Sequence, residues 1–394
     1  MPRASTLPCR RVSPSTSSII PTGRPSPTAN GGSPPRSTVC PIGRTPPRSA
    51  RRPKPPPEAA DRKSGDNTTV IPERYSGYEA RLRAGAVDFT PVSGDVTANL
   101  DKLTGWIAEA ASAGVGLLVF PEEALTGAIH CDDCERLGGP CDLHRSLAET
   151  VPGPSTEALA RLAADHDMYL VVGMIEQDPE DPDALYNAAA VIGPEGILGT
   201  YRKLHLGSLP FVTEGVSFRP GSSLEVFETR YGPIGVQICY DFWLNPEGSR
   251  LLALQGARII VNPTAAFAGG PDKVESMRRV AATRGQENFV FTISANQVGG
   301  IDNGESVEDG FDGALPANYA GHSLICGPHF PDFSHIYAEG SDTEGLVVAD
   351  LDFEVLHRWD DVCPWRQWRA THQSGTSELF ATEFAKLVHG PPAQ

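Results

Sequence analysis

The chain has 394 residues, of which 40% are hydrophobic, so it is long enough for one large domain or two medium ones with a sizeable core. Its apolar runs, such as VGLLVF at 115–120, are far shorter than the roughly 20 residues of a membrane-spanning helix. The formal net charge of −16 argues against nucleic-acid binding, which usually depends on a basic face. We therefore expect a soluble protein with neither a nucleic-acid nor a membrane partner.

The N-terminal segment differs in composition from the rest of the chain. Residues 1–57 contain ten Lys or Arg and no Asp or Glu, and residues 1–70 are rich in Pro, Ser and Arg. A segment with so few apolar residues does not offset the entropy lost on ordering. The sequence predicts that residues 1–70 are disordered. Their composition equally suits an organellar transit peptide or an over-extended start.

Strand-like and helix-like segments alternate from about 83 to 355. The predicted strands are 115–120, 168–176, 185–193, 232–238, 258–263, 289–297, 321–327 and 345–352. The predicted helices are 94–113, 155–167, 246–256 and 272–287, and Asn245 is the expected N-cap of the third. This alternation predicts a layered α/β domain with its chemistry at strand ends. We assign residues 71–360 to the domain and 361–394 to a C-terminal extension, for which a subunit interface is one expected place.

Two of the polar segments that follow predicted strands carry charged side chains. Glu122, in LLVFPEEALTG, ends an apolar strand, where burial raises the proton affinity of a carboxylate toward that of a general base. Lys203, in YRKLHL, would stabilise the oxyanion that develops on a reacting carbonyl; the plain alternative is a solvated loop lysine. Glu214 lies in a glycine-bounded turn of the same segment.

The third segment, IGVQICYDFWLN, places Cys239 at the end of an apolar run. A thiol between a strand and a helix lies where the helix N-terminus and nearby cations favour the thiolate. The plain alternative is a small buried hydrophobe, which is what most free cysteines are. Together with a carboxylate base and a lysine, the thiol completes the groups needed for nucleophilic acyl transfer.

These segments resemble the carbon–nitrogen hydrolases, or nitrilase superfamily. VFPE, YRKLHL and GVQICYD stand in that family's order, and RGQENFVFTISANQVG, GHSLICGP and VADLD extend the resemblance over roughly 83–355. The resemblance implies a four-layer α-β-β-α sandwich of the nitrilase type, assembled as a homodimer or higher homo-oligomer. It implies Glu122 as base, in preference to the adjacent Glu123, Lys203 as oxyanion stabiliser and Cys239 as nucleophile. It also implies that Glu214 orients Lys203 or the substrate and that catalysis requires no cofactor.

The residues after the cysteine indicate the branch of the family. Cysteine followed by Tyr-Asp resembles amidases and carbamoylases, whereas nitrilases more often have Trp-Glu there. We therefore expect hydrolysis of a small-molecule amide or N-carbamoyl compound, with nitrile hydrolysis as the nearest alternative. The expected substrate-binding residues are Tyr240, Phe242, Trp243 and Phe267, although aromatics near a strand end are more often plain packing.

The segment HCDDCERLGGPCDLH at 130–144 departs from the family pattern. Its spacing resembles a four-ligand zinc loop made of Cys131, Cys134, Cys141 and His144. The interval between the two pairs is shorter than in most zinc modules, so an unliganded loop over the mouth of the site is the alternative. The eight cysteines of the chain are too sparse for a disulfide scaffold, which favours a reducing compartment, the cytoplasm.

Two other classes of function fit the same fold. One is a non-catalytic binding protein that uses the cysteine segment as a metal-dependent contact, but the intact Glu, Lys and Cys argue against it. The other is acyl transfer to an amine, which uses the same thioester. The family's lipid-linked transferases are embedded in membranes, and the sequence contains no apolar run long enough for a spanning helix.

Overall fold

The molecule is built from two large sheets with helices on their outer faces. The structure is a computed structural model that describes residues 77–129, 132–209, 212–301, 311–312, 315–372 and 374–389, so the predicted disordered segment 1–70 lies outside the described residues. The strands are β1 (Arg81–Asp88), β2 (Leu117–Val119), β3 (Tyr169–Gln177), β4 (Leu185–Gly193), β5 (Gly196–Arg202), β6 (Ser208–Leu209), β7 (Val212–Thr213), β8 (Val226–Phe227), β9 (Ile234–Val236), β10 (Ile259–Thr264), β11 (Phe291–Asn296), β12 (Val298–Gly300), β13 (Phe311–Asp312), β14 (Leu315–Pro316), β15 (Asn318–Ala320), β16 (Leu324–Gly327), β17 (His335–Glu339) and β18 (Gly345–Asp352). The helices are α1 (Val96–Ser112), α2 (Asp132–Leu137), α3 (Asp142–Leu147), α4 (Pro154–Asp165), α5 (Glu214–Ser217), α6 (Tyr240–Leu244), α7 (Pro246–Leu254), α8 (Lys273–Asn288), α9 (Glu354–Val362), α10 (Trp365–His372) and α11 (Ser374–His389).

The two six-stranded sheets repeat one topology. The first has the order β18-β1-β2-β3-β4-β5 and the second has the order β17-β16-β11-β10-β9-β8. In each sheet the pairs among three central strands are parallel, and the pairs toward both edges are antiparallel. Parallel neighbours need crossover connections, and α1, α4, α7 and α8 provide them.

Three hydrophobic clusters separate four layers. The first joins the inward side chains of both sheets, such as Val119 of β2 and Val261 of β10. The second packs α1 and α4 on the outer face of the first sheet, toward which Leu118 points. The third packs α7 and α8 on the outer face of the second, toward which Ile260 points. Because successive strand side chains face opposite ways, the central strands of both sheets are buried on both faces, and the predicted α-β-β-α sandwich is confirmed.

Two of the predicted strands have the same bounds as observed strands. These are 185–193, which is β4, and 345–352, which is β18, and the other predicted elements overlap observed ones. The expectation of a loop at 130–144 was wrong, since α2 and α3 lie there. The stretch before Lys203, which was expected to be strand-like, is β5, a half-buried edge strand whose two glycines obscured its bounds.

The start of α7 is where the sequence placed it, but its capping is different. Asn245 is the N-cap residue, yet its side chain makes no capping hydrogen bond to α7. Its Nδ2 instead donates to the Tyr240 carbonyl at 3.1 Å. The asparagine therefore bonds back to α6, and Pro246 at the first turn, which needs no amide partner, opens α7.

Helices α9, α10 and α11 follow the last strand of the first sheet and were not predicted. Several large apolar side chains on α10 and α11 are exposed, namely Trp368, Leu379, Phe380 and Phe384. No helix in the described ranges combines the length and the apolar character needed to cross a bilayer. The placement of residues 361–394 at a subunit interface stays a prediction.

Candidate active site

The charged residues singled out in the sequence meet at the ends of three strands. Glu122 follows β2, Lys203 follows β5 and Cys239 lies between β9 and α6. Lys203 Nζ donates to Glu122 Oε1 at 2.6 Å, and both residues are buried. The charges of Glu122 and Lys203 also act on the Cys239 thiol. Strands far apart in the sequence thus bring a carboxylate, an ammonium and a thiol together.

Glu214 is the second carboxylate that contacts Lys203. Lys203 Nζ donates to both carboxylate oxygens of Glu214 at 2.8 Å each, and the Gly207 N–H also bonds Glu214 Oε2. Burial by itself lowers the pKa of Lys203, but the charges of Glu122 and Glu214 outweigh it and raise the pKa well above its usual range. The lysine is therefore a cation fixed between two carboxylates.

A buried asparagine that sequence reasoning missed joins the two carboxylates. Asn187 of β4 donates from Nδ2 to Glu122 Oε1 and to Glu214 Oε1, at 2.8 Å in each case. Its side chain is fully buried. An asparagine within an otherwise apolar strand was the signal in the sequence, because buried amides nearly always have hydrogen-bond partners.

The Glu122 side chain is fixed by further donors. Its Oε2 accepts a hydrogen bond from the Ala265 N–H at 2.8 Å, and its backbone carbonyl accepts one from Gln297 Nε2 at 2.8 Å. The adjacent strand allows this position because residue 173 is glycine: a Cβ on Gly173 would lie 2.7 Å from the Glu122 Cα. The carboxylate is held in one orientation before any substrate binds.

The adjacent Glu123 has a different environment. It is buried and its backbone has φ of +50°, and Lys203 pairs with Glu122 and Glu214. Burial, followed by the negative charges of Glu122 and Glu214, raises the pKa of Glu123 well above its usual range. Its surroundings therefore favour the neutral form of the Glu123 carboxyl.

The backbone at Cys239 makes a sharp turn between strand and helix. Its φ of +46° and ψ of −100° form a conformation that residues with a Cβ rarely adopt. The Cys239 N–H donates to the Asn262 Oδ1 at 2.9 Å and to the Pro263 carbonyl at 3.0 Å. Asn262 Nδ2 in turn donates to Ser294 Oγ at 3.0 Å, so neighbouring strands hold the strained turn in place.

Burial of Cys239 opposes the thiolate form, which its position between a strand and a helix was expected to favour. Burial, with the charge of Glu122, raises the pKa of the thiol to about 12, although Lys203, the Thr264 side chain and the Ala265 N–H act to lower it. The helix that follows has only five residues, so its N-terminus offers little compensation. The resting thiol is protonated, and its reaction as a nucleophile needs a base nearby.

Asp241 connects the lysine segment to the cysteine segment. Its carboxylate accepts hydrogen bonds from the Tyr201 hydroxyl at 2.8 Å, the Leu204 N–H at 3.2 Å and the His205 N–H at 2.8 Å. His205 Nδ1 lies 2.7 Å from the same carboxylate. Since Asp241 lies in α6 and its partners flank Lys203, this buried network fixes the two segments relative to each other.

The four aromatic residues predicted to bind substrate differ in how exposed they are. Tyr240, Trp243 and Phe267 are partly exposed. Trp243 Nε1 donates to Thr264 Oγ1 at 2.9 Å, and Phe267 stacks on Tyr319 with ring centroids 5.6 Å apart. Phe242 is fully buried in the core, because the α6 turn directs it toward α8 and away from the surface, so its role is packing.

The cysteine segment brings three of its four predicted ligands together. The ligand atoms of Cys134, Cys141 and His144 lie within 4.8 Å of one another, and all three side chains are buried. Cys131 lies outside the described residues.

The fold and these charged residues define a carbon–nitrogen hydrolase. Residues 83–361 match the carbon-nitrogen hydrolase family, and the chain belongs to this family. The predictions of the family and of an enzyme acting on carbon–nitrogen bonds are thus confirmed.

Several relatives share most of their length with this chain. It is 32% identical over 278 residues to a nitrilase of Pyrococcus abyssi, covering 70% of this chain and 91% of the relative. It is 31% identical over 302 residues to the omega-amidase NIT2 of Xenopus tropicalis, covering 74% and 95%. An N-carbamoylputrescine amidase of Solanum lycopersicum is 32% identical over 223 residues, which are 54% of this chain and 70% of the relative.

A solved structure supports the fold. A nitrilase-superfamily protein of Saccharomyces cerevisiae aligns with a TM-score of 0.60 at 24% identity, covering 74% of this chain and 98% of that one.

Proposed function

We propose that the protein hydrolyses a small-molecule amide or N-carbamoyl compound through a thioester on Cys239. One observation carries this proposal: Lys203 is held as a buried cation between Glu122 and Glu214, and its charge and that of Glu122 act on the neutral thiol. A thiol with a base and an oxyanion donor is the minimal machinery for acyl transfer. No metal or organic cofactor takes part in these steps.

In the first half-reaction, Glu122 takes the thiol proton as Cys239 Sγ bonds to the substrate carbonyl carbon. A base is required because the pKa of the thiol is about 12. The carbonyl oxygen becomes an oxyanion, which Lys203 Nζ stabilises as a charge fixed in place before the reaction. The carbon–nitrogen bond then breaks, the nitrogen receives the proton from Glu122, and ammonia or an amine leaves.

In the second half-reaction, water hydrolyses the thioester. Glu122, ionised again, removes a proton from the attacking water, and Lys203 stabilises the second oxyanion. The carbon–sulfur bond breaks, the sulfur regains its proton from Glu122, and the carboxylic or carbamic acid leaves. Glu214 and Asn187 act as positioning residues, since they hold Lys203 and the Glu122 carboxylate.

The amide or carbamoyl substrate is the finer part of the proposal. The Tyr240-Asp241 pair after the cysteine supports it, as do relatives named omega-amidase and N-carbamoylputrescine amidase. Nitrile hydrolysis is the second candidate, because a relative of similar identity is named a nitrilase. Both reactions release ammonia, so the substrate preference must be measured directly.

A panel of small amides, N-carbamoyl amines and nitriles should distinguish the candidates. We expect ammonia release from amides or carbamoyl compounds with kcat/KM at least about tenfold above that for any nitrile, a difference of about 1.4 kcal/mol in barrier. Product analysis with an added amine would separate hydrolysis from acyl transfer. Hydrolysis should give the acid product and no new amide. Turnover confined to nitriles would contradict the proposal and support the second candidate.

We also propose that the protein is a homo-oligomer and that it works in the cytoplasm. The exposed apolar side chains of α11, Leu379, Phe380 and Phe384, support a subunit contact by the C-terminal extension, because such patches usually mark interaction sites. The free thiol of Cys239 suits a reducing compartment.

Light scattering should test this contact. The full chain should have at least twice the mass of one subunit, and deletion of residues 361–394 should lower the degree of association. A monomeric full chain, or an unchanged oligomer after the deletion, would contradict the assignment of these residues to an interface.

A further inference from the structure

A buried cluster of two thiols and one imidazole lies outside the active-site contacts. We call Cys134, Cys141 and His144 the Cys-Cys-His cluster. The Cys134 and Cys141 Sγ atoms lie 3.3 and 3.2 Å from His144 Nδ1, and each residue is at most 5% exposed. The three residues come from two short helices, with Cys134 in α2, Cys141 at the N-cap of α3 and His144 in its first turn.

The ligand atoms of the cluster have the spacing expected around one cation. His144 Nδ1 faces both sulfur atoms, and all three ligand atoms lie within 4.8 Å of one another. A cation between the three atoms would be bonded to all of them. Zinc with its usual bond lengths and tetrahedral angles separates a sulfur ligand from a nitrogen ligand by about 3.5 Å, close to the observed separations.

We propose that the Cys-Cys-His cluster binds one zinc ion through two thiolates and the Nδ1 of a neutral imidazole. The backbone N–H of Cys141 donates to the Cys134 Sγ at 3.3 Å, the type of contact that stabilises a sulfur ligand carrying negative charge. The three-residue interval between Cys141 and His144 places both on one side of α3. Cys131 was predicted as the fourth ligand and lies outside the described residues, so the proposal depends on the other three.

Zinc bound at the Cys-Cys-His cluster would link α2 to α3, and both helices lie next to the segment that begins at Glu214. Helix α2 packs against α5, which begins at Glu214, and the His144 ring packs edge-to-face on Phe218 with centroids 5.6 Å apart. The Phe218 N–H donates to the Glu214 carbonyl at 2.8 Å. Since α2 and α3 have six residues each, they are too short to be stable alone, and the ion would give them a fixed crosslink.

Metal analysis of the full-length protein, purified without chelator, tests the proposal. We expect about one zinc per chain, and less than about a tenth of that in Cys134→Ser and Cys141→Ser. Cys363→Ser, which changes a cysteine outside the cluster, should keep its zinc. Wild-type protein that contains no zinc and takes up neither Zn²⁺ nor Co²⁺ on dialysis would overturn the proposal.

A second measurement covers the case in which the variants do not fold. Wild-type protein stripped with a chelator and reloaded with Co²⁺ should show thiolate-to-cobalt charge-transfer absorption at one equivalent, and metal uptake should release protons from the thiols. Zinc should also restore the melting temperature that the chelator lowers. Cobalt uptake without a thiolate band, or a melting temperature that does not change on stripping, would contradict a zinc site at these cysteines.

Discussion

Cys239→Ala should fold normally and have no measurable hydrolase activity. Alanine cannot form the thioester, and removal of a nucleophile from an acyl-transfer enzyme typically costs about a millionfold in kcat. The side chain is only partly buried, so we expect the free energy of unfolding to change by no more than about 1 kcal/mol. Steady-state ammonia release and urea unfolding of the same preparation would measure both effects.

Two other cysteines provide matched controls for this variant. Cys326 is fully buried in the core of the second sheet, and Cys363 is half-buried beyond α9. Cys326→Ala should lose stability through the cavity that it leaves but keep most of its activity, and Cys363→Ala should keep both. Retained activity in Cys239→Ala would contradict the mechanism, whereas equal losses in all three variants would indicate a general effect on folding.

The two adjacent glutamates should respond in opposite ways to the same change. Glu122→Gln removes the base that accepts the thiol proton, and we expect kcat/KM to fall at least about a thousandfold. Glu123→Gln replaces a buried carboxyl, whose raised pKa favours the neutral form, with a neutral amide of nearly the same shape, so most of the activity should remain. Kinetics of both variants on one substrate would check the assignment, and the reverse pattern would show that Glu123 is the base.

The pH dependence of stability gives an independent test of the raised pKa of Glu123. Burial raises the pKa of Glu123 in the folded state above its value in the unfolded chain, so the folded state holds this proton more tightly. The contribution of this group to the free energy of unfolding is at its maximum below the pKa of the unfolded state, and it is lost as the pH rises through the pKa of the folded state. Wild-type stability should therefore decrease relative to Glu123→Gln as the pH rises above the ordinary pKa of a glutamate, and a constant difference in urea unfolding would argue against it.

The sequence was sufficient to predict the layers and the strand ends. The sequence pattern located β4 and β18, and Glu122 and Cys239 come soon after the buried strands β2 and β9. The positions of Glu122 and Cys239 were predictable because a buried strand in a layered fold must be apolar on both faces, whereas Lys203 follows the half-buried strand β5. The order of the motifs then indicated which residues meet.

Contacts made across the fold could not be read in this way. Asn187 and Asp241 act through hydrogen bonds to residues 27 to 65 positions away, and no local pattern records such partners. The raised pKa of Cys239 was not predicted for the same reason: it depends on burial by neighbouring strands and on the charge of Glu122. Helix α9 was missed although one face packs on the core through Leu356 and Trp359.

Mass spectrometry during turnover tests the thioester most directly. Wild-type enzyme mixed with an activated anilide, for which formation of the acyl-enzyme should be faster than its hydrolysis, would be quenched in acid within milliseconds and digested. The peptide that contains Cys239 should gain the mass of the acyl group, and it should lose it again on treatment with hydroxylamine at neutral pH. The same treatment of Cys239→Ala should give no adduct. Turnover with no adduct on this peptide, or with the acyl group on another cysteine, would contradict the thioester at Cys239.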